Sequence, residues 1–324
     1  MLWKKNSISS IRKNRNMCSI ITFANHFGLK QYYISEHSIN HNINIPEVDR
    51  PGLELTGFFE HHQKDRLILL GKKELTYINS LEYEQAYKVM LELCNEEVPG
   101  IVVCHDLECP KAVMDAAIKN DVAVFGTEID TSVFEADALY YLSEVLAKKT
   151  SLHANLLQIF GQGCLLIGPS GIGKSEVCLD LIKKGHVLVS DDRVDISYVR
   201  GKLFGQAPSV IYGMMEVRGI GIIDVPRMFG INSLTRKSEI NVVIKLVPFD
   251  SSFTSDRLGR SVETFEILNK KVPLVVLPVS PARSMSEIIE VAVTNAKLKE
   301  YGYDSSYEFE RRLAEFRKEN GGER

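Results

Sequence analysis

No run of apolar residues in the 324-residue sequence approaches the ~20 needed to cross a bilayer. Leu67 to Leu70, Ile101 to Cys104 and Leu274 to Leu277 are each cut short by a charge, Pro or Gly, so no transmembrane helix is expected. The start of the chain has no uninterrupted apolar segment of the kind a secretory signal needs; Asn6, Ser7, Ser9, Ser10 and Arg12 break it up. Cysteine is sparse: the six, at 18, 94, 104, 109, 164 and 178, lie far apart, which excludes a disulfide framework and predicts reduced, mostly buried thiols in a cytoplasmic protein. Cys104, His105, Asp106 and Cys109 resemble half a metal site, but no second Cys/His pair at zinc spacing follows, and zinc is not expected. No internal repeat is present.

An excess of one charge is also missing, at least overall. The 39 basic and 42 acidic residues give a net of -3. That total conceals an asymmetry, because the first sixteen residues hold Lys4, Lys5, Arg12, Lys13 and Arg15 and no acid. Residues 17–324 therefore carry 34 basic against 42 acidic groups, a net of -8, and advertise no broad basic surface for nucleic acid. Residues 1–16 read as a disordered basic tail, a composition they share with organelle transit peptides.

The length implies about two domains at roughly 150 residues each. Over 17–134 short apolar runs alternate with helical periodicity: strands at Arg66 to Gly71, Pro99 to Cys104 and Val122 to Gly126, helices at Leu81 to Cys94 and Pro110 to Lys119. This βαβ order predicts an α/β domain with a parallel or mixed sheet. A helix from about Thr131 to Lys149, with Ser132 as a possible cap and Val133, Ala136, Leu139, Tyr140 and Leu146 on its apolar side, is expected to connect to a second domain over 135–324. There the order is strand, strand, helix from Lys174 to Gly185, strand Val187 to Ser190, a β-rich stretch, a helix at Ser286 to Leu298, and a charged helical tail from Glu308 expected to pack Phe309, Leu313 and Phe316 inward.

The most informative segment is Gly168-Pro169-Ser170-Gly171-Ile172-Gly173-Lys174-Ser175, which fits G-x-x-x-x-G-K-[ST] between a strand and a helix. Its glycines let backbone N–H groups converge on phosphate oxygens, and the helix N-terminus adds positive potential. Lys174 can neutralise β/γ-phosphates, and the Ser175 hydroxyl suits the oxygen shell of Mg²⁺. Past the helix, Asp191-Asp192 ends a strand expected to lie beside the phosphate loop in a parallel sheet. One of the two carboxylates can serve a metal while the other acts as a base.

These residues resemble the HPr kinase/phosphorylase family. The resemblance rests on GPSGIGKSE (168–176), SDDRVD (190–195), MEVRGIGIID (215–224), SDRLGR (255–260) and PVSPAR (278–283), in order, with His153 ahead of them in SLHANLLQIFG. It implies a C-terminal P-loop kinase domain with a phosphoenolpyruvate-carboxykinase-like core behind an N-terminal α/β domain. The implied enzyme phosphorylates a serine of the phosphocarrier HPr with ATP, or with pyrophosphate, and removes the phosphate with inorganic phosphate to give pyrophosphate, so regulating carbon metabolism. By the same resemblance, Gly168 to Ser175 bind ATP, Ser175 and Glu216 hold magnesium, and Lys174 meets the transferred phosphoryl group. Asp192 is implied as general base and, in reverse, general acid, with His153 and Arg257 completing the active residues. Met215, Glu216, Val217, Arg218, Gly219, Ile220, Gly221, Ile222, Ile223 and Asp224 would serve both reactions, and Pro278, Val279, Ser280, Pro281, Ala282 and Arg283 chiefly dephosphorylation. The implied assembly is a homo-oligomer, a hexamer.

Two departures from the family pattern stand out. Ser280 and Ala282 occupy positions where members often carry Arg and Gly, which predicts weakened reversal more than weakened kinase activity. Pro169 replaces a commonly acidic loop residue and lacks an N–H, a change compatible with the turn. Outside the family reading, the same phosphate loop would suit a kinase for another substrate or a nucleotide-binding regulator with weak catalysis.

Overall fold

The computed structural model describes residues 17–249, 263–280 and 283–319. The expected basic tail at 1–16, Arg257 and the rest of the 255–260 motif, Pro281 and Ala282 lie outside the described residues. The chain separates into two compact units between Lys148 and Lys149. No described helix is long and apolar enough to cross a membrane.

The N-terminal unit is built on a five-stranded sheet in the order Lys30–Tyr33, Val124–Gly126, Ile101–Val103, Leu67–Leu70, Val48–Asp49. All neighbouring pairs are parallel except the first. The central strands read as continuous apolar runs because both faces are covered. Ile68, Leu70, Ile101 and Val103 point towards helices Tyr83–Leu93 and Lys111–Lys119, and Leu67, Leu69, Val102 and Phe125 towards helices Ile20–Phe27 and Thr131–Val145. The last helix belongs to this core and is not a free connector, which moves the division of the chain past the expected residue 134. It buries Phe134, Ala138 and Leu142, while Val133 and Tyr140 are exposed, so the apolar face expected from the sequence is rotated away from the true one. Its N-cap is Asp130, without a side-chain cap bond, and Ser132 lies within the helix.

The C-terminal unit stacks helices Lys174–Lys183 and Met285–Glu300 on a six-stranded sheet, with a four-stranded sheet on its other face. The six strands run in the order Val187–Ser190, Asn155–Ile159, Gln162–Ile167, Val242–Pro248, Lys270–Val279, Thr264–Ile267. Cys164 and Leu166 pack under the helices and Leu165 against the second sheet, the alternation a pleated strand imposes. Val187–Ser190 is not the parallel neighbour of the phosphate-loop strand. Asn155–Ile159 lies between them and is antiparallel to both. Two reversals restore the direction, so Ser190 still ends at the same edge of the sheet as Ile167. The tail forms helix Ser305–Glu319, but none of its residues is buried; Phe309 is exposed, contrary to the inward packing expected of it.

All six cysteines are free, and only Cys109 is not fully buried. Burial pushes the thiols of Cys94, Cys109 and Cys164 up to about 12 and that of Cys104 to about 11. Since the thiolate is the reactive form, native protein at pH 8 is expected to resist Ellman's reagent at every buried thiol and to release all six on unfolding in guanidinium. Rapid stoichiometric labelling before unfolding would contradict this burial.

Candidate active site

The strand Gln162–Ile167 runs directly into the phosphate loop, and helix Lys174–Lys183 leaves it. Gly171 and Gly173 have φ values of 78° and 99°, a region that L side chains rarely occupy, so the turn that folds the loop back over the helix N-terminus depends on them. Gly173 is itself the N-cap and offers no side chain to cap the helix, which leaves the first-turn N–H groups to an anion. Pro169 and Ser170 are exposed on the rim of the loop, and Ile172 anchors it by packing against the core beneath the helix. Lys174 is buried and folds back on the loop, its Nζ donating to the carbonyls of Gly168 at 3.1 Å and Pro169 at 3.3 Å.

The two adjacent aspartates take opposite roles in the packing. Asp191 is buried; its Oδ1 accepts from the Ser175 hydroxyl at 3.1 Å and from Asn155 Nδ2, and its Oδ2 accepts from the Glu216 backbone N–H at 3.1 Å. Burial pushes this carboxyl above its ordinary value, the Glu216 N–H and the Ser175 hydroxyl pull it back, and the charges of Asp192 and Glu216 push it up again. Asp192 sits in the left-handed region, φ 63°, which turns its side chain out of the strand into solvent. There its Oδ1 lies 3.0 Å from His153 Nδ1, and its backbone carbonyl is 3.0 Å from the same nitrogen.

The hairpin Met214–Val217 and Gly221–Asp224 forms another wall. Met215, Val217 and Ile223 are buried, while Glu216 and its cross-strand partner Ile222 share the outer face. Gly219 and Ile220 are in the turn, where Ile220 N–H bonds to the Val217 carbonyl at 3.0 Å. Arg218 leans towards the loop: a Cβ added to Gly171 would lie 3.4 Å from its guanidinium. Asp224 caps the short helix Val225–Phe229 by accepting from Arg227 N–H at 3.0 Å, a local structural use. Pro278 and Val279 end a strand two places from the phosphate-loop strand and parallel to it, ~10 Å away along the same sheet edge. Ser280 follows, its carbonyl accepting from the exposed Arg283 N–H at 3.2 Å.

One loop with the helix it opens, two strand ends and one hairpin thus bring together Lys174, Ser175, Asp191, Asp192, His153, Glu216 and Arg218. Residue chemistry alone leaves open which aspartate does what, the family resemblance implies Asp192 as the base, and neither points to Asn155, which looks like an ordinary strand residue. The oxygen donors, a serine hydroxyl and carboxylates, suit Mg²⁺ rather than a softer ion. Among the described residues no group of three or more His, Cys, Asp or Glu gathers into a metal cage.

Residues 18–142 match the family described as HPr Serine kinase N terminus, and residues 144–313 the family described as HPr Serine kinase C-terminal domain. An HPr kinase/phosphorylase of Enterococcus faecalis is 40% identical over 306 residues, 94% of this chain and 98% of its own. One of Streptococcus thermophilus is 39% identical over 295 residues, 90% of this chain and 95% of its own. The solved structure of the Hpr(Ser) kinase/phosphatase from Coxiella burnetii is 40% identical, covers 49% of this chain and 98% of that one, and gives a TM-score of 0.46.

The contrast between the two aspartates is measurable by urea denaturation. Asp191→Ala strands three donors and is expected to cost about 2–3 kcal/mol of stability. Asp192→Asn, exposed and tolerant of a left-handed backbone, is expected to change it by under ~0.5 kcal/mol. Equal losses would refute the division.

Proposed function

This chain belongs to the HPr serine kinase family, and we propose that it transfers the γ-phosphoryl group of ATP to a serine hydroxyl of HPr and also runs the reverse phosphorolysis. The observation that carries the proposal is the split of Asp191 and Asp192 at one strand end, with a buried carboxylate on the phosphate-loop serine and an exposed one paired with His153.

In the forward direction the phosphate loop takes the β- and γ-phosphates, and Lys174 exchanges the Gly168 and Pro169 carbonyls for the transferred group. The serine hydroxyl approaches from the open side, where the Asp192 carboxylate accepts its proton as the oxygen bonds to phosphorus and ADP leaves. His153 holds the Asp192 carboxylate in that orientation. In reverse, an oxygen of inorganic phosphate attacks the phosphoserine phosphorus, pyrophosphate forms, and protonated Asp192 returns its proton to the departing serine oxygen. Ser175 and Glu216 would hold Mg²⁺, which when bound neutralises charge on the phosphates. Arg218, inclined over Gly171, is available to the same charge. Arg257 is proposed as a further active residue on the family resemblance alone. Transfer to and from HPr is the basis for proposing a role in regulating carbon metabolism.

Pyrophosphate as an alternative donor is chemically reasonable, because the loop and Lys174 address only the two terminal phosphates. Pro278 and Val279 end a strand on the same sheet edge, and Ser280 in place of a cation would offer incoming phosphate one positive charge fewer.

Two measurements test the proposal. With purified HPr, Mg²⁺ and ATP, Asp192→Asn is expected to lower kcat by ~10²–10⁴-fold with nucleotide binding retained, and Lys174→Ala to abolish transfer while weakening nucleotide binding. Normal transfer by either variant would refute the assignment. With phosphoserine-HPr and inorganic phosphate, slow pyrophosphate release is expected, accelerated by Ser280→Arg; robust release by the unaltered protein would overturn the role given to Ser280.

A further inference from the structure

The strand Asn155–Ile159 is apolar except at its first residue and at Gln158. Asn155 is completely buried, flanked by Ala154, Leu156 and Leu157, and faces Leu166 across the sheet. Its Nδ2 donates to Asp191 Oδ1 and lies 3.3 Å from Cys178 Sγ, whereas its Oδ1 is buried with no hydrogen-bond partner. The orientation of the amide follows from chemistry: an ionised carboxylate only accepts, so the NH₂ group must face it. A buried carbonyl without a partner is destabilising, and leucine has the same branching at Cγ with no polar atom to strand. By packing alone, leucine is the better residue here.

What the amide provides is a fixed carboxylate. Asp191 Oδ1 is held by Asn155 and Ser175, and Oδ2 by the Glu216 N–H, so three separate elements define the carboxylate plane. Removing the amide leaves the Oδ1 edge to the Ser175 hydroxyl alone, and that hydroxyl is mobile about its own side-chain torsion. The carboxylate can then turn with it, and both the hydroxyl and the Glu216 backbone lose a fixed reference.

We infer that Asn155 is a positioning residue that locks Asp191 so that the Ser175 hydroxyl and Glu216 are pre-set for a magnesium-bound nucleotide. This deepens the proposed function, since it rests on the assignment of Ser175 and Glu216 to that ion. It acts through Asp191 and touches neither nucleotide nor acceptor.

The test is calorimetric, with a non-hydrolysable ATP analogue as probe, on the full-length protein. Asn155→Leu removes a stranded carbonyl but also one donor to the buried Asp191 carboxylate, two opposed effects that are expected to leave the urea midpoint little changed. Its analogue Kd in EDTA should be unchanged, and its Kd in Mg²⁺ weakened several-fold, below the ~10–100-fold seen when a direct hydrogen-bond partner of a metal ligand is removed, because Asn155 reaches the ligands through Asp191. Asn155→Ala, which cannot clash, should show the same Mg²⁺-specific loss. A variant pair that loses stability with no Mg²⁺-specific change would make Asn155 purely structural, and equal weakening with and without Mg²⁺ would assign it to the nucleotide instead; either result overturns the inference. Because the readout is binding, a wild-type protein that binds Mg²⁺-nucleotide but leaves HPr unmodified would refute the proposed function and leave this inference standing.

Discussion

The site is organised around one buried carboxylate. Asp191 accepts from the phosphate-loop serine, from the hairpin backbone at Glu216 and from Asn155 on the intervening strand. Those three donors belong to elements separated by tens of residues in sequence. A buried anion that lacks such partners is strongly unfavourable. The packing of helix Lys174–Lys183, the start of Asn155–Ile159 and the hairpin around residue 216 therefore has to be right together.

The neighbouring Asp192 shows how a single backbone choice separates two identical side chains. In a regular strand adjacent residues already point to opposite faces. Here the left-handed φ of Asp192 ends the strand as well and carries its carboxylate out to His153 in solvent. The buried member keeps a structural and ion-directing position, and the exposed one keeps access to an incoming hydroxyl. The hairpin repeats the same economy: Met215, Val217 and Ile223 fill the core, which leaves Glu216 on the outer face.

Much of the fold was readable from periodicity. The strands at 67–70, 101–103 and 124–126 and the helices at 83–93 and 111–119 follow from apolar spacing, because each contacts the layer directly above or below it. The errors have a common origin. The apolar side of Thr131–Val145 was misjudged because Phe134, Ala138 and Leu142 face a core formed with residues far away in sequence. Phe309 was expected to be inside because it is apolar, although helix Ser305–Glu319 has no buried residue. Helix Ile20–Phe27 carried too short a repeat to stand out. At the site, the phosphate loop was legible from its glycines and Lys174-Ser175, whereas Asn155 gave no signal, since an isolated asparagine in an apolar strand has no periodic or motif signature.

By itself, the sequence determined the two-domain α/β class, the phosphate loop, the aspartate pair and the membership in a family that the motifs announce. These depend on local spacing, backbone conformational preference and residue chemistry, all carried by contiguous residues. Tertiary structure alone decided that a strand intervenes between the phosphate loop and the aspartates, that Asp191 rather than Asp192 meets Ser175, and that Asn155 completes the contact. Those outcomes depend on strand order and on which buried groups find partners, and such pairings are settled only when distant segments pack and exclude water from between them.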